Sequence, residues 1–147
     1  MKVFSKNYLS RMRLSFLVTL PFIFMMLVPA LIMDIFATIY QFINFTAYKI
    51  PKVKRGEYIV FDRHHLSHLN WLEKVYCVYC AYFNGLLGYV SEIGARTELF
   101  WCPIQHQKRP KYCHRYYKKF LPYAPDDTYY AKRKALRIAL SKKDKIL

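Results

Sequence analysis

Hydrophobic and polar residues are distributed very unevenly along this chain. Between Leu14 and Tyr48 the sequence is almost entirely apolar, and Asp34 is the only formally charged residue in that stretch. So long an apolar run is too large for the core of a chain of 147 residues, and it predicts a membrane segment at residues 14–48. A cleaved signal peptide has a shorter apolar region that ends at a small-residue cleavage site, so we do not expect one here.

Basic residues on both sides of this run indicate how it enters the membrane. Residues 1–13, a basic lead, carry four Lys and Arg, and residues 49–55 carry four more. A single crossing would place one of these clusters on the side of the membrane where basic residues are rare. We therefore expect two short helices joined near Pro29, which dip into the membrane as a hairpin; the alternative is one kinked helix. Asp34 then needs a partner or a wet pocket, because a charge in hydrocarbon costs at least ~2.5 kcal/mol. The alternative is that Asp34 is protonated or lies near the interface.

The pattern changes after the membrane segment. Residues 49–61 have the composition of a basic linker, and residues 62–106 carry apolar residues at helical spacing. The helical pattern is interrupted once, at Asn84-Gly85, which is a typical turn signal. We therefore predict an αα-hairpin that turns at this dipeptide, with Asp62 as the N-cap of its first helix.

The remaining residues, 107–147, are basic. A loop rich in Pro, Lys and Tyr comes first, and a basic amphipathic helix follows it. Such a helix suits a membrane surface, and it suits equally well a position on its own domain. The fold class predicted for the chain is all-α and membrane-associated: an N-terminal hydrophobic helix or helical hairpin, then an αα-hairpin, then a basic C-terminal amphipathic helix.

The charge balance indicates the kind of partner. Formal net charge is +15, and after residue 50 the chain has 19 Lys and Arg against 8 Asp and Glu, a net of +11. So basic a region is attracted to nucleic acid or to anionic lipid. With a membrane segment in the same chain, we expect a lipid bilayer with anionic headgroups and not nucleic acid, at about 1 kcal/mol for each basic residue near the surface.

Polar residues recur at three- and four-residue steps along the first helix of the predicted αα-hairpin, so they share one face. Folding the hairpin at its turn places Glu73 opposite Arg96. It also places Cys77 opposite Glu92. Two interpretations stay open: a small buried polar site, or a structural salt bridge with the thiols as packing residues. This predicted polar seam consists of Asn70, Glu73, Cys77, Cys80, Glu92 and Arg96.

Two cysteine patterns raise the question of a metal. Cys77-x-x-Cys80 and Cys102-x-x-x-His106 together match a zinc site by spacing. In the predicted hairpin, however, Cys102 lies about 15 Å from Cys77 along the helices, which is too far for one ion. The open end of the hairpin offers a better set of zinc or iron ligands, and the alternative is that its histidines bind no metal. This set consists of His65, His68, Cys102 and His106.

The cysteine motif and the absence of known catalytic motifs do not indicate an enzyme. A CxxC in the cytoplasm stays reduced, and this one lies inside a helix and not at the exposed helix N-terminus of a redox motif. The chain has four glycines and no GxSxG, P-loop, HExxH or glycine-rich nucleotide loop. An enzyme that acts on lipid headgroups or isoprenoid phosphates would have to use Arg63, His65 and Glu73 as acid, base and phosphate contacts.

The central part of the chain, about residues 50–106, contains three specific motifs: FDR-x-x-L-x-x-LN-x-x-EK, C-x-YC-x-Y-x-NG and EI-x-x-RTE-x-x-WCPI-x-H. In these motifs the chain resembles a family of small bacterial membrane proteins of unknown function. The resemblance implies a bacterial cytoplasmic (inner) membrane, and it implies no activity, cofactor or substrate. His68 and Cys113 lie outside the family pattern.

Three hypotheses follow. The first is a small cytoplasmic-membrane protein whose basic, metal-binding helical domain lies at the inner leaflet, facing the cytoplasm, in a binding or accessory role. The second is an adaptor or assembly subunit of a membrane complex or homo-oligomer, without a metal. The third is the enzyme described above.

Overall fold

A computed structural model of the chain describes residues 14–124 and 127–142. Within these residues there are four α-helices, α1 (Leu14–Met25), α2 (Leu27–Tyr40), α3 (Trp71–Trp101) and α4 (Tyr129–Ser141). A π-helical turn, Gln41–Phe45, extends α2, and 3-10 turns occur at Arg55–Glu57, Arg63–His65 and Tyr117–Lys119. The described residues contain no β-strand, only an isolated bridge between Ile104 and Leu121. The helical fold class is confirmed; the basic lead at 1–13 and the end of the tail at 143–147 lie outside the described residues.

The apolar segment is one helical run and not a hairpin. Met26 alone separates α1 from α2, and its backbone is itself in the helical region. A helical stretch of 28 residues, Val18–Phe45, is long and apolar enough to cross a membrane. The turn predicted at Pro29 is wrong because this proline lies in the first turn of α2, where a missing N–H breaks no helical hydrogen bond.

The αα-hairpin predicted at Asn84-Gly85 is also wrong. The helix α3 continues through this dipeptide for 31 residues, a length of about 46 Å. The Asn84 side chain donates to the carbonyl of Cys80 one turn earlier, at 2.9 Å, so it is satisfied inside the helix. The start is also later than predicted: α3 begins at Trp71, whereas Asp62 precedes only a 3-10 turn.

The apolar helices and α3 lie side by side and run in the same direction. The Tyr79 hydroxyl donates to the carbonyl of Ile23 at 2.7 Å, and further along both helices Gln41 donates to the hydroxyl of Tyr89 at 3.0 Å. Contact positions therefore advance together along the two sequences. A parallel pair needs a return segment, and residues 46–70 provide it; we call them the connector.

The connector runs back along α3 from its end to its start. Near the C-terminal end of α3, Arg96 donates to the carbonyl of Pro51 at 2.6 Å. Near the middle, the connector passes so close to Gly85 that a Cβ there would lie 2.5 Å from the carbonyl oxygen of Tyr58. Glycine allows this close approach. The dipeptide that resembles a turn signal is therefore a packing site for the connector.

The core lies between these elements and the C-terminal part of the chain. On α4, Leu140 is buried, and Arg137 donates to the carbonyl of Phe100 at 2.7 Å while its guanidinium lies 4.4 Å from the centre of that ring. One face of the predicted amphipathic helix thus packs on its own domain, while Ile138 on another face stays exposed. The most deeply buried apolar side chains include Phe45, Val53, Ile59, Leu86, Tyr89, Leu99, Tyr116 and Leu140.

Candidate functional site

A buried ionic cluster centred on Glu92 joins α3 to the rest of the molecule. Glu92 and Arg96 lie one turn apart on α3, and each is only 7% exposed. The Oε1 of Glu92 accepts three hydrogen bonds, from Arg96 Nε at 2.9 Å, from Arg115 Nη2 at 2.6 Å and from the Tyr116 hydroxyl at 2.5 Å. Since Arg96 also holds the connector through Pro51, the cluster ties three segments together.

The environment of the cluster fixes its charges. Burial raises the pKa of the Glu92 carboxyl, but the hydrogen bonds from Tyr116, Arg96 and Arg115 lower it by more, so the net pKa is below the ordinary value. Burial and the hydrogen bond to Glu92 raise the pKa of Tyr116. At neutral pH the cluster therefore consists of one carboxylate, two guanidinium groups and a neutral phenol.

The stability of the protein should depend on the charge of Glu92. Because its pKa is lower in the folded chain than its ordinary value near 4.5, its contribution is present above that value and is lost as the pH falls through the folded pKa. We expect the excess stability of wild type over Glu92→Gln to be largest at neutral pH and to shrink as the pH falls below 4.5. Denaturant titrations of both proteins across this range measure the difference. A pH-independent difference would contradict this assignment.

A second polar group answers the question that Asp34 raised. Its carboxylate accepts from Arg55 of the connector, with Nη2 to Oδ2 at 2.6 Å and Nε to Oδ1 at 3.2 Å. The hydroxyl of Tyr82 on α3 donates to Oδ2 at 3.0 Å. The pKa of Arg55 is raised by its hydrogen bond to Asp34. A charge that would be isolated on an apolar helix is thus paired with a cation from the connector.

A third polar group fastens the connector to the end of α2. The Oε1 of the buried Gln41 accepts from the backbone N–H of Val53 at 2.6 Å. Its Nε2 donates to the carbonyl of the same residue at 3.3 Å and to the Tyr89 hydroxyl at 3.0 Å. The sequence could have identified Gln41, because a polar side chain in so apolar a segment indicates a functional or structural contact. Arg115 and Tyr116 carry no such signal, because they lie in a loop without periodicity.

The predicted polar seam is divided between the two halves of α3. Glu73 does not pair with Arg96: it lies at the opposite end of the same helix, where its Oε2 accepts from the backbone N–H of Asn70 at 2.8 Å as part of a capping box. Cys80 is exposed and Cys77 half-buried. Without a hairpin, the pairing of Cys77 with Glu92 is wrong as well. The ion pair that does form joins Glu92 to Arg96 along the helix.

The predicted metal ligands are not brought together as a set of four. His65 and His68 precede α3, whereas Cys102 and His106 follow it, so the length of the helix separates the two pairs. In residues 14–124 and 127–142 no group of three or more His, Cys, Asp and Glu side chains converges as metal ligands do. His106 instead stacks on Tyr117, with ring centres 5.9 Å apart. Zinc or iron binding stays a prediction from the sequence.

Of the residues of the predicted enzyme, Arg63 and His65 lie in one 3-10 turn and Glu73 lies in the first turn of α3. Arg63 lines an open cavity of about 620 Å³ between the connector and α3, together with Asp62, Cys80 and Asn84. Neither His65 nor Glu73 lines this cavity. The Glu73 carboxylate is engaged in capping α3. Of the three residues proposed for turnover, only Arg63 lines this cavity.

The largest uncovered feature is apolar. Between Val18 and Ile43, thirteen large apolar side chains are exposed, with Phe36 at 68%. An apolar groove of about 490 Å³ opens between α2 and α3, and its lining includes Met33, Phe36, Ala37, Val90, Gly94 and Trp101. We call the outward side of α1 and α2 together with this groove the apolar face.

No protein-family model matches the chain, and no curated protein and no solved structure is similar to it. The resemblance to a family of small bacterial membrane proteins stays a prediction from the sequence. The function is therefore inferred from the polar clusters, the apolar face and the distribution of charge.

Proposed function

We propose that this protein is a small membrane-bound protein of the cytoplasmic membrane with a binding or accessory role and no turnover. The observation that carries the proposal is the exposure of α1 and α2: in the most apolar window of Val18–Phe45 only 6% is buried inside the protein. A soluble monomer rarely exposes so large a contiguous apolar surface. Lipid is the simplest cover for it.

The charge distribution supports an anionic membrane. Residues 103–124 and 127–142 contain eleven Lys and Arg residues and one acidic residue, Asp127. Next to the apolar face, the ammonium of Lys52 lies 4.4 Å from the ring centre of the exposed Phe42. Lysines at membrane interfaces adopt this arrangement, in which the apolar stem lies on hydrocarbon and the charge reaches the headgroups.

A vesicle flotation experiment tests the proposal. Wild type should float with vesicles of phosphatidylcholine and phosphatidylglycerol, and Ile32→Lys/Phe36→Lys should lose this binding. Two lysines on the apolar face cost at least about 3 kcal/mol, which is about a hundredfold in the partition coefficient.

The matched control is Tyr112→Lys/Tyr123→Lys, which adds the same charge at two exposed aromatic positions outside the apolar face. It should float as wild type does. Wild type that stays soluble and monodisperse without detergent, and does not float, would show that the protein is not membrane-bound.

The groove favours an adaptor as a second candidate. Ala37 and Gly94 are small residues on facing helices, and small residues allow a third helix to approach closely. An adaptor of this kind would bury the groove against a partner protein inside the membrane, whereas the first candidate leaves it to lipid.

A further inference from the structure

The geometry points to a lipid-docking surface of defined orientation: the apolar face lies against a single leaflet, with α1, α2 and α3 parallel to the membrane plane and not crossing it. This inference rests on the proposed membrane association and goes beyond it, because a helix of this length and composition is ordinarily expected to cross. The chemical partner is a bilayer with anionic headgroups.

The first reason is the position of the connector. It lies beside the second half of α2, from Gln41 just after this helix, which holds Val53, to Asp34, which is paired with Arg55 near the middle of the apolar run. If α1 and α2 crossed a bilayer, the connector would be carried into the hydrocarbon with them. Irregular backbone is tolerated at that depth only where protein or a water-filled cavity surrounds it.

The second reason is the charge on the connector. Each charge at the centre of a bilayer costs ~2.5–3.5 kcal/mol even on insertion scales. Among the described residues, Arg55 forms the one ion pair between the connector and the apolar helices, and Lys54 pairs with Glu57 on the connector itself, where the two side chains are 81% and 63% exposed. The charged residues of the connector, all exposed, are Lys49, Lys52, Lys54, Arg55, Glu57, Asp62 and Arg63.

The third reason is that the connector and the groove lie on different sides of α3. The connector packs on Gly85, while the groove opens at Gly94. Nine residues of α-helix correspond to a rotation of about 180°, so these glycines face opposite sides of α3. The charged connector and the apolar groove therefore lie on opposite sides of α3. This is the pattern of an interfacial element, whereas a crossing element is apolar around its whole circumference at one depth.

The length of the apolar run fits the same orientation. Twenty-eight residues form about 42 Å of helix, against about 30 Å of hydrocarbon in a bilayer. A crossing helix would have to tilt or extend into the headgroup regions, and α3 beside it would have to do the same. A helix pair that lies in the plane of the membrane has no such mismatch.

Lysine labelling of the unaltered protein tests the orientation. The protein is added to preformed vesicles of phosphatidylcholine and phosphatidylglycerol, floated, treated with a membrane-impermeant acylating reagent and analysed by mass spectrometry. Lys74 near the start of α3 and Lys108 beyond its end report the two ends of the molecule, and Lys52 and Lys54 report the connector. The same labelling after detergent lysis gives the reference extent for each lysine.

Parallel orientation predicts that all four lysines are labelled in intact vesicles to the extent reached after lysis. If Lys74 or Lys108 is labelled only after lysis, that end lies inside the vesicle, and such a crossing would overturn the inference. Partial labelling at both ends before lysis would show molecules that cross in both directions, and it would overturn the inference as well. Protection of Lys52 and Lys54 alone would show a connector inside the membrane and overturn it as well. Absence from the floated fraction, with a stable soluble dimer, would show that a second copy covers the apolar face; that result rejects membrane association itself.

Discussion

Replacing Glu92 with leucine should lower the free energy of unfolding by about 3–5 kcal/mol, the cost of removing one partner from a buried ion pair. The change leaves Arg96, which is 7% exposed, without its carboxylate. It also removes the carboxylate acceptor of Arg115 and Tyr116, so the loop that carries them loses two of its hydrogen bonds to α3. Urea unfolding followed by far-UV circular dichroism in a mild detergent measures the loss.

Two further variants make this result specific. Glu57→Leu removes an exposed ion pair with Lys54 and should change stability by at most about 1 kcal/mol. The double variant Glu92→Leu/Arg96→Leu should be more stable than Glu92→Leu alone, because it removes the stranded charge. If Glu92→Leu is no more destabilising than Glu57→Leu, the cluster does not hold the three segments together.

Alanine substitutions at two glycines of α3 should have effects of opposite sign. At Gly85 a Cβ would lie 2.5 Å from the carbonyl oxygen of Tyr58 and 2.9 Å from the Cα of Ile59, so the connector backbone must move. Overpacking of this kind costs about 1–3 kcal/mol, which outweighs the gain in helix propensity. At Gly94 nothing lies within 4 Å of the added Cβ, and Gly94→Ala should stabilise α3 by up to about 1 kcal/mol.

The two glycine variants control for each other, since both place alanine in the same helix. Limited proteolysis adds a second measurement: Gly85→Ala should expose the connector to cleavage, and Gly94→Ala should not. Equal effects of the two changes on unfolding would contradict the close approach of the connector to α3.

The sequence predicts those features of the structure that depend on residues close together in the chain. Periodicity and composition predict the apolar run and the basic helix α4, because each depends on residues near one another in the chain. The capping role of Glu73 is local too: it follows Asn70 by three residues, the spacing of a capping box. It was missed because the hairpin assigned Glu73 to Arg96.

Long-range packing accounts for what the sequence did not reveal. Asn84-Gly85 has the chemistry of a turn, and only the position of Tyr58 shows that the glycine makes room for the connector. The partner of Asp34 is Arg55, which lies 21 residues away and beyond the end of the apolar run. The four predicted metal ligands are not brought together for a related reason. Their predicted proximity depended on a hairpin, and in the structure one continuous helix separates the two pairs.

The parallel arrangement of the apolar helices and α3 has a consequence for biosynthesis. Their contacts join residues far apart in the chain: 56 residues separate Ile23 from Tyr79, and 48 separate Asp34 from Tyr82. At ~5–20 residues per second, the ribosome needs about 3–12 s to complete α3 after α2. During that interval α1 and α2 have no intramolecular partner, and their apolar surface is an aggregation hazard unless lipid or a chaperone receives it. Early capture at the membrane would therefore determine the yield of this protein before its final stability has any effect.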